Sequence, residues 1–224
     1  MRIDFHSHVL PGIDDGAKTI EESVQLITEM AGWGFDRITC TPHITKKFRN
    51  TPDIIKEKFE TIREAIAEQG IDVDLRMSAE YRLNPETWPE ILREGSLMPI
   101  EDKYILMEFP INNREDMGSL NPMEEFRKVL SLGLTPILPH PERYSYLSHD
   151  TLLRYIDAGV EIQSNYGSLA GIYGSEVRDA AQAFIDEGIV SFLASDMHNM
   201  LYIKSIGDWL HKGNSLWEYG DATQ

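Results

Sequence analysis

The chain has 224 residues, of which 42% are hydrophobic, and this length is enough to bury a sizeable core. Its 37 acidic residues outnumber its 21 basic residues, and the resulting net charge of −16 argues against nucleic acid or an anionic membrane as a general partner. The single cysteine, Cys40, excludes an internal disulfide and fits a reducing, cytoplasmic setting, and the absence of any signal-like start or apolar run of about 18 residues argues against classical export and membrane insertion.

Short apolar or β-branched runs alternate with longer segments of helical spacing along the chain. Thr19 and Glu22 have the spacing of a capping box at the start of the first helix, and Gly34 and Gly70 follow the ends of the first two helices. In chain order, the predicted elements are strand 2–5, helix 19–33, strand 37–41, helix 52–69, strand 72–79, an irregular stretch at 84–99 with short helical pieces, strand 104–109, helix 122–132, strand 135–138, helix 148–158, strand 160–164, helix 175–187, strand 189–194 and helix 203–211.

This alternation predicts seven β/α units in series, because helices that connect parallel strands produce that order. The number of units favours an α/β fold of the TIM-like type, a distorted (β/α)7 barrel, and a doubly wound open sheet is the competing architecture. We expect one domain over residues 1–224, with an unusually short segment after about residue 200.

Functional side chains of β/α barrels gather at the carboxyl ends of the strands. Six of the seven predicted strands deliver a histidine or a carboxylate to that end, and the sixth strand delivers Asn165. The histidines and carboxylates are His6, His8, His43, Glu80, Glu108, His140, Asp196 and His198. Since these side chains all belong to one rim of the barrel, we expect them to lie close together.

These residue types point to a divalent-metal centre. Neutral imidazole and carboxylate groups suit Zn²⁺, Mn²⁺ or iron, and a carboxylate such as Glu80 can bridge two ions. Closely spaced metal ions clamp a phosphate and supply a hydroxide near neutral pH. The predicted chemistry is therefore phosphoester hydrolysis, in which Arg143 is placed to fork onto phosphate oxygens.

Simpler explanations exist for the single members of this set. A lone His-x-His motif such as His6 and His8 is weak evidence, Asp196 could cap a helix, and Arg143 could pair with Glu142 or another carboxylate. Outside the set, the predictions are simpler still. We expect His149 to be a solvated first-turn residue, we assign no role to His211, and we interpret Lys46, Lys47 and Arg49 as either a rim for an anionic substrate or a solvated loop.

Other phosphate chemistries lack their motifs. A cysteine-dependent phosphatase needs an arginine six residues after the nucleophile, whereas Lys46 stands six residues after Cys40. We expect Cys40 to be a buried apolar residue of the second strand. No glycine-rich nucleotide loop of the P-loop type occurs in the sequence.

The sequence resembles the polymerase-and-histidinol-phosphatase (PHP) superfamily, and most of all its branch of bacterial tyrosine-protein phosphatases, the CpsB/YwqE-like enzymes of capsule and exopolysaccharide loci. The most specific stretch is residues 4–18, DFHSHVLPGIDDGAK. Supporting stretches, in family order, are TPH at 41–43, AE at 79–80, MEFP at 107–110, HPERY at 140–144 and ASDMHN at 194–199.

The resemblance implies a distorted barrel with three divalent metal ions, commonly manganese. By position, one ion would take His6, His8, Glu80 and Asp196, a second Glu80, Glu108 and His140, and a third Asp15, His43 and His198. It also implies that Arg143 holds the phosphate and favours Asp15 over its neighbour Asp14 as the ligand. The implied partner is a phosphotyrosine protein, a membrane-associated bacterial tyrosine kinase with a tyrosine-rich tail.

One segment departs from the family pattern. Family members generally continue past Asn199 with an arginine-proline segment and further helices, whereas residues 200–204 read MLYIK. Two alternatives stand beside a tyrosine phosphatase. One is a small-molecule phosphatase of the histidinol-phosphate type, and the other is a relative inactivated by this altered segment, which only binds phosphotyrosine.

Overall fold

The computed structural model describes residues 1–216 of the chain, in which parallel strands alternate with helices. The strands are β1 (Ile3–Ser7), β2 (Arg37–Cys40), β3 (His43–Ile44), β4 (Asp74–Met77), β5 (Glu80–Arg82), β6 (Tyr104–Glu108), β7 (Thr135–Pro139), β8 (Glu161–Asn165) and β9 (Phe192–Ala194). The helices are α1 (Ile20–Gly32), α2 (Pro52–Glu68), α3 (Trp88–Glu94), α4 (Pro122–Ser131), α5 (His149–Asp157), α6 (Tyr166–Leu169), α7 (Ser175–Asp186) and α8 (Met200–His211).

The strands form two parallel sheets that follow one another around the wall of the fold. One sheet has the order β1-β2-β4, and the other has the order β3-β5-β6-β7-β8-β9. The second and third predicted strands, β2 and β4, are each followed by a short further strand, so that β2 and β4 pair in the first sheet while β3 and β5 pair in the second. The break after β2 falls at Pro42, which has no N–H to donate to a ladder.

The first and last strands are joined beyond the end of β9. Ser7 forms a parallel bridge with Met197, and the backbone N–H of His8 donates to the carbonyl oxygen of Met197 over 2.8 Å. The N–H of Asp196 donates to the carbonyl of His6 over 2.9 Å. Because the strands follow chain order around the wall without reversal, the predicted distorted barrel is confirmed and the doubly wound alternative is wrong.

The helices cover the barrel with their apolar faces. In α1, Val24, Ile27 and Met30 are buried at helical spacing, and its N-cap Thr19 accepts the N–H of Glu22 over 3.2 Å. In α2, Ile55, Phe59, Ile62 and Ile66 repeat the same pattern. The site-bearing ends of the strands are therefore held by a continuous core.

Several predicted boundaries shift in the structure. The predicted strand at 189–194 narrows to β9, the irregular stretch at 84–99 contains the two-turn helix α3, and the last helix begins at Met200 instead of residue 203. No helix within residues 1–216 is long and apolar enough to cross a membrane. The domain predicted to extend to residue 224 includes residues 217–224, which lie outside the described part of the chain.

Candidate metal centre

All nine residues predicted as metal ligands lie together at the carboxyl ends of the strands. They form four overlapping groups in which potential ligand atoms lie within 4.8 Å of one another. The groups are His6, His8 and Asp196; His6, Glu80 and His140; His43, Glu80 and Glu108; and His8, Asp15, His43 and His198. The structure therefore brings the eight residues predicted from the strand ends together with Asp15, which the family resemblance implied, and the role of all nine as ligands stays a prediction.

The innermost group is formed by β1 and the segment that follows β9. Nε2 of His6 lies 3.1 Å from Nε2 of His8 and 3.3 Å from Oδ1 of Asp196, and His8 Nε2 lies 3.4 Å from the same oxygen. All three side chains are buried. Three ligand atoms thus converge on one point, which is the arrangement that a shared cation requires.

Glu80 stands at the centre of the site and reaches four histidines. Its Oε1 lies 3.5 Å from His6 Nε2 and 3.3 Å from His140 Nε2, while Oε2 lies 2.8 Å from His43 Nδ1 and 3.4 Å from His8 Nε2. Glu108 reaches the same area, 3.9 Å from His140 Nε2 and 3.8 Å from His43 Nδ1. With its two oxygens turned towards different neighbours, Glu80 is the carboxylate best placed to bridge two ions.

The fourth group opens to solvent through Asp15. The Oδ1 atom of Asp15, whose side chain is 50% exposed, lies 3.4 Å from His43 Nε2 and 3.7 Å from His198 Nε2. The ring of His198 stacks on that of His8 at a centroid distance of 4.1 Å. This outer group is the part of the cluster that a ligand from solvent reaches first.

Hydrogen bonds behind the cluster fix the orientation of three imidazole rings. The Nδ1 atom of His8 lies 2.8 Å from Asp14 Oδ2, and Nδ1 of His6 lies 2.8 Å from Oε1 of Gln163. Nδ1 of His198 lies 2.7 Å from the carbonyl oxygen of Asp196. With Nδ1–H donating in each ring, Nε2 keeps a lone pair directed into the cluster, as metal-bound histidines require.

Two cluster residues sit in strained backbone conformations. His140 and Asp196 have φ angles of 40° and 49°, in the left-handed region that residues other than glycine seldom adopt. His140 also precedes Pro141, and a residue before proline normally favours extended backbone. Such strain concentrates at functional sites, where it directs a side chain that regular structure would point elsewhere.

In the absence of cations, protons on buried histidines supply the positive charge beside the carboxylates. Burial disfavours a charged ring at His6, yet the carboxylates of Glu80 and Asp196 outweigh it and raise the pKa of His6 to about 9. For Asp14, burial also disfavours charge, but His8 lowers the pKa of that carboxyl to about 2. Burial together with the neighbouring His8 lowers the pKa of His198 to about 4.

The donor set fits divalent cations. Within residues 1–216, Nδ1 of His43 and Oε2 of Glu80 are buried without a hydrogen-bond partner, although the two atoms lie 2.8 Å apart. A buried, unsatisfied carboxylate oxygen costs free energy that a bound cation would remove. Imidazole and carboxylate ligands without a thiolate exclude a structural cysteine-zinc site and suit Mn²⁺, iron or Zn²⁺.

Arg143 lies at one edge of the cluster. Its Nη1 donates to Oδ2 of Asp196 over 3.2 Å, and its guanidinium lies 4.3 Å from the centroid of the Tyr173 ring. The predicted alternative pairing with a carboxylate is thus present, with Asp196 in place of Glu142. Glu142 is buried and accepts hydrogen bonds from the Asn165 N–H and the Ser168 hydroxyl.

Tyrosines line the same edge. The hydroxyls of Tyr173 and Tyr202 lie 2.8 Å apart, and the Tyr202 ring stacks on His198 at 5.3 Å. Tyr202 belongs to residues 200–204, the segment that departs from the family pattern. In this chain, aromatic side chains therefore contact this part of the rim. Arg143 and His198 are therefore braced by one pair of rings.

A second arginine, Arg82, contacts the cluster, and its Nε donates to Oε2 of Glu108 over 2.7 Å. Arg82, Gln163 and the supporting role of Asp14 are absent from the sequence-based prediction. Gln163 and Asn165 alternate on β8, so a buried polar pair two residues apart in a predicted strand is a signal that could have found Gln163. Residues such as Arg82 on short interrupted strands leave no comparable pattern.

The residues predicted to stand outside the site do so. Cys40 is fully buried, and burial raises the pKa of its thiol, which makes it a poor nucleophile. His149 is the first residue of α5, with a 45% exposed side chain paired to Glu187. His211 is exposed at the end of α8.

The fold and the cluster together define a class, the β/α-barrel proteins with a candidate multinuclear metal centre on the carboxyl rim. The profile of the CpsB/CapC family of capsular polysaccharide synthesis matches residues 2–203. The chain belongs to this family, which confirms the resemblance inferred from residues 4–18.

Characterised relatives and a solved structure agree with this assignment. The chain is 27% identical over 201 residues to the tyrosine-protein phosphatase YwqE of Bacillus subtilis, covering 88% of this chain and 78% of the relative. It is 30% identical over 208 residues to the tyrosine-protein phosphatase CpsB of Streptococcus pneumoniae, covering 88% and 83%. A structure described as YwqE and CpsB, "unique metal-dependent tyrosine phosphatases", superposes with a TM-score of 0.81 at 25% identity, covering 98% of this chain and 89% of that one.

A more distant likeness bears on the fold alone. The histidinol phosphate phosphatase of Lactococcus lactis superposes with a TM-score of 0.56 at 13% identity, covering 96% of this chain and 94% of that one. The two proteins share the barrel fold.

Proposed function

We propose that this protein is a metal-dependent protein-tyrosine phosphatase that hydrolyses phosphotyrosine in a protein partner. The convergence of nine histidine and carboxylate side chains on one rim carries the proposal. Family membership and the activity named for the relatives support it. The partner that we propose is a membrane-associated bacterial tyrosine kinase that controls polysaccharide synthesis, and we expect both to meet in the cytoplasm.

We further propose three divalent ions, with manganese as the first candidate and iron or zinc as alternatives. The first set of ligands is His6, His8, Glu80 and Asp196; the second is Glu80, Glu108 and His140; the third is Asp15, His43 and His198. The contacts of Glu80 with His6, His43 and His140 support its place as the shared ligand. Histidine and carboxylate sites accept several metals, so availability in the cell decides which is bound.

The bound ions would supply an activated water and positive charge beside the phosphate oxygens. Arg143 would hold the phosphate, because its guanidinium stands at the edge of the cluster and carries donors beyond the one used on Asp196. Tyr173 lies under that guanidinium and fixes its plane. Asp14 and Gln163 hold His8 and His6 in the tautomer that binds a metal.

The metal dependence and the role of the cluster are tested with p-nitrophenyl phosphate and a phosphotyrosine peptide. The matched variants are His6→Ala, which removes a buried cluster residue, and His211→Ala, which removes an exposed histidine of α8. We expect elemental analysis to find divalent metal in the purified protein, and chelation followed by Mn²⁺ to abolish and restore turnover. His6→Ala is expected to lose at least about 100-fold in kcat/KM, since even residues behind a ligand cost 10–100-fold, while His211→Ala keeps wild-type activity.

The same assays, with histidinol phosphate as a third substrate, separate the alternatives. Faster turnover of histidinol phosphate than of phosphotyrosine peptide would identify the small-molecule phosphatase. Retained metal with no turnover of any phosphoester would identify the inactive binding relative. Equal activity of the His6→Ala and His211→Ala variants would refute the proposed site.

A further inference from the structure

A cleft beside the candidate metal centre has no part in the proposed chemistry. It lies between the turn that follows β3 and the loop that follows β5, with a volume of about 580 Å³. Its cationic and proline side chains come from Lys46, Lys47, Arg82, Pro85 and Pro110. We call these five residues the basic cleft. Its volume falls within the range of roughly 300–1,000 Å³ that is typical of ligand sites.

Arg82 connects the basic cleft to the cluster. Its Nε donates to Oε2 of Glu108 over 2.7 Å, and within residues 1–216 its guanidinium has no other hydrogen bond or ion pair. The terminal nitrogens of Arg82 therefore remain available to a ligand in the cleft. A ligand held there lies next to any phosphate bound at the cluster.

The two lysines are presented by a tight turn. The hydroxyl oxygen of Thr45 accepts the N–H groups of Lys47 and Phe48 over 3.1 and 2.9 Å, and the Thr45 N–H donates to the Phe48 carbonyl over 2.9 Å. The Phe48 ring lies 6.0 Å from His43, at an interplanar angle of 5°. Because this turn is fixed against a cluster residue, Lys46 and Lys47 are held at a defined side of the centre.

The two lysines of the cleft are not committed to strong internal pairs. Lys46 pairs with Glu86 over 2.5 Å, but both side chains are largely exposed, and such pairs contribute little and exchange readily. Lys47 lies over the Phe48 ring at 4.5 Å and has no ion pair within residues 1–216. Glu86 and Asp116 also line the cleft, which leaves an excess of one positive charge there.

This local excess opposes the net charge of −16 of the whole chain. A strongly acidic protein repels acidic ligands over most of its surface, so a cationic cleft at the mouth of a site selects where they approach. The rigid rings of Pro85 and Pro110 add apolar walls without donating hydrogen bonds. Cations on apolar walls suit an extended peptide that carries acidic side chains.

We propose that the basic cleft binds acidic residues that flank the phosphotyrosine of the substrate. This inference rests on the proposed phosphatase function and adds to it a preference for sequence. The phosphotyrosine would lie over the cluster, and a neighbouring Asp or Glu side chain would reach Arg82 or the two lysines.

Binding is measured so that the result does not depend on turnover. Fluorescently labelled peptides carry phosphonomethyl-phenylalanine, a non-hydrolysable stand-in for phosphotyrosine, flanked either by glutamates or by glutamines. For the Mn²⁺-loaded wild-type protein we expect the glutamate peptide to bind about 5- to 20-fold more tightly at low salt, a preference that shrinks as salt screens the charges.

The test variant is Lys46→Gln/Lys47→Gln, and the matched control is Lys56→Gln/Lys58→Gln, which makes the same change of charge on α2. The test variant is expected to lose the preference to about twofold or less, whereas the control keeps it. The ratio of the two affinities is taken within each variant, so a general weakening of the site cancels.

A wild-type protein that binds both peptides equally, or a test variant that keeps the full preference, would overturn the inference. Turnover of a phosphotyrosine peptide with glutamine flanks is measured separately. Failure of that turnover counts against the proposed phosphatase, while the ratio of affinities decides the cleft on its own.

Discussion

Replacing Asp14 with asparagine removes the charge on which three buried hydrogen bonds depend. Oδ2 of Asp14 lies 2.8 Å from Nδ1 of His8 and accepts the backbone N–H of His43 over 3.1 Å, while Oδ1 accepts the N–H of Gly16 over 2.8 Å. The asparagine side chain has the same shape but only one oxygen. Whichever way the amide is turned, its NH₂ group faces a buried donor.

The magnitude follows from these bonds. If the amide oxygen keeps the bonds to His8 and His43, the N–H of Gly16 loses its partner, which costs about 1–3 kcal/mol. The two retained bonds lose the assistance of a charge, and charge-assisted bonds are roughly twice as strong as neutral ones. We therefore expect the Asp14→Asn variant to lose about 2–4 kcal/mol of unfolding free energy, and about 10–100-fold in metal affinity because His8 loses the carboxylate that orients it.

Asp15→Asn is the matched control, one residue away. The Asp15 side chain is half exposed and meets His43 and His198 at 3.4 Å or more. Its stability should stay within about 0.5 kcal/mol of wild type, while metal affinity falls because a proposed ligand is lost. Urea unfolding of the metal-free proteins and metal titration against a competing chelator measure both quantities. If Asp14→Asn unfolds at the wild-type urea concentration, or if the two variants lose equal stability, the supporting role of Asp14 is refuted.

Three further predictions concern the same centre. In Gly16→Ala the new Cβ would lie 1.9 Å from the carbonyl oxygen of His8, so the loop must move; we expect elemental analysis to show lost metal, and full retention would contradict this. Tyr173→Leu removes the ring under Arg143 and should raise KM for aryl phosphates about fivefold, equivalent to roughly 1 kcal/mol of cation–π interaction. Tyr173→Phe keeps a ring there and should stay near wild type in steady-state kinetics. Equal effects of the two substitutions on KM would argue against ring stacking. The pKa of His6 is raised to about 9 without metal, so the ring is protonated below that pH and must lose its proton on metal binding. The apparent metal affinity should therefore rise between pH 7 and 9, and calorimetry in two buffers of different ionisation enthalpy should detect the released proton. Binding heats that do not depend on the buffer would contradict this.

The candidate ligands could be predicted because each stands at a position that the sequence marks. His6, Glu108 and His140 lie at or directly after apolar runs that read clearly as strands, and the parallel order of those strands places their ends on one rim. The barrel fold could be predicted from the same alternation of strands and helices along the chain.

The supporting contacts could not be predicted because they join distant parts of the chain. Gln163 reaches His6 across 157 positions, and Asp4 accepts the N–H and hydroxyl of Ser195 across 191 positions. No local period encodes such a pair. Even the last helix starts three residues before its predicted start, because Asn199 caps it by accepting the N–H of Leu201 over 3.0 Å.

The acidity of the chain and an anionic substrate are compatible only if charge is redistributed at the site. The four carboxylates among the proposed ligands, Asp15, Glu80, Glu108 and Asp196, would repel a phosphate in the metal-free protein. The carboxylates alone carry a charge of about −4, which protonated histidines such as His6 offset in part in the metal-free protein. The three proposed divalent ions bring six positive charges and displace those protons, so the carboxylates and ions together carry about +2 before Arg82 and Arg143 are counted. The same carboxylates that exclude phosphate without metal thus hold the charge that attracts it with metal. It follows that phosphate should bind the metal-free protein far more weakly than the loaded one, which makes substrate binding itself dependent on metal.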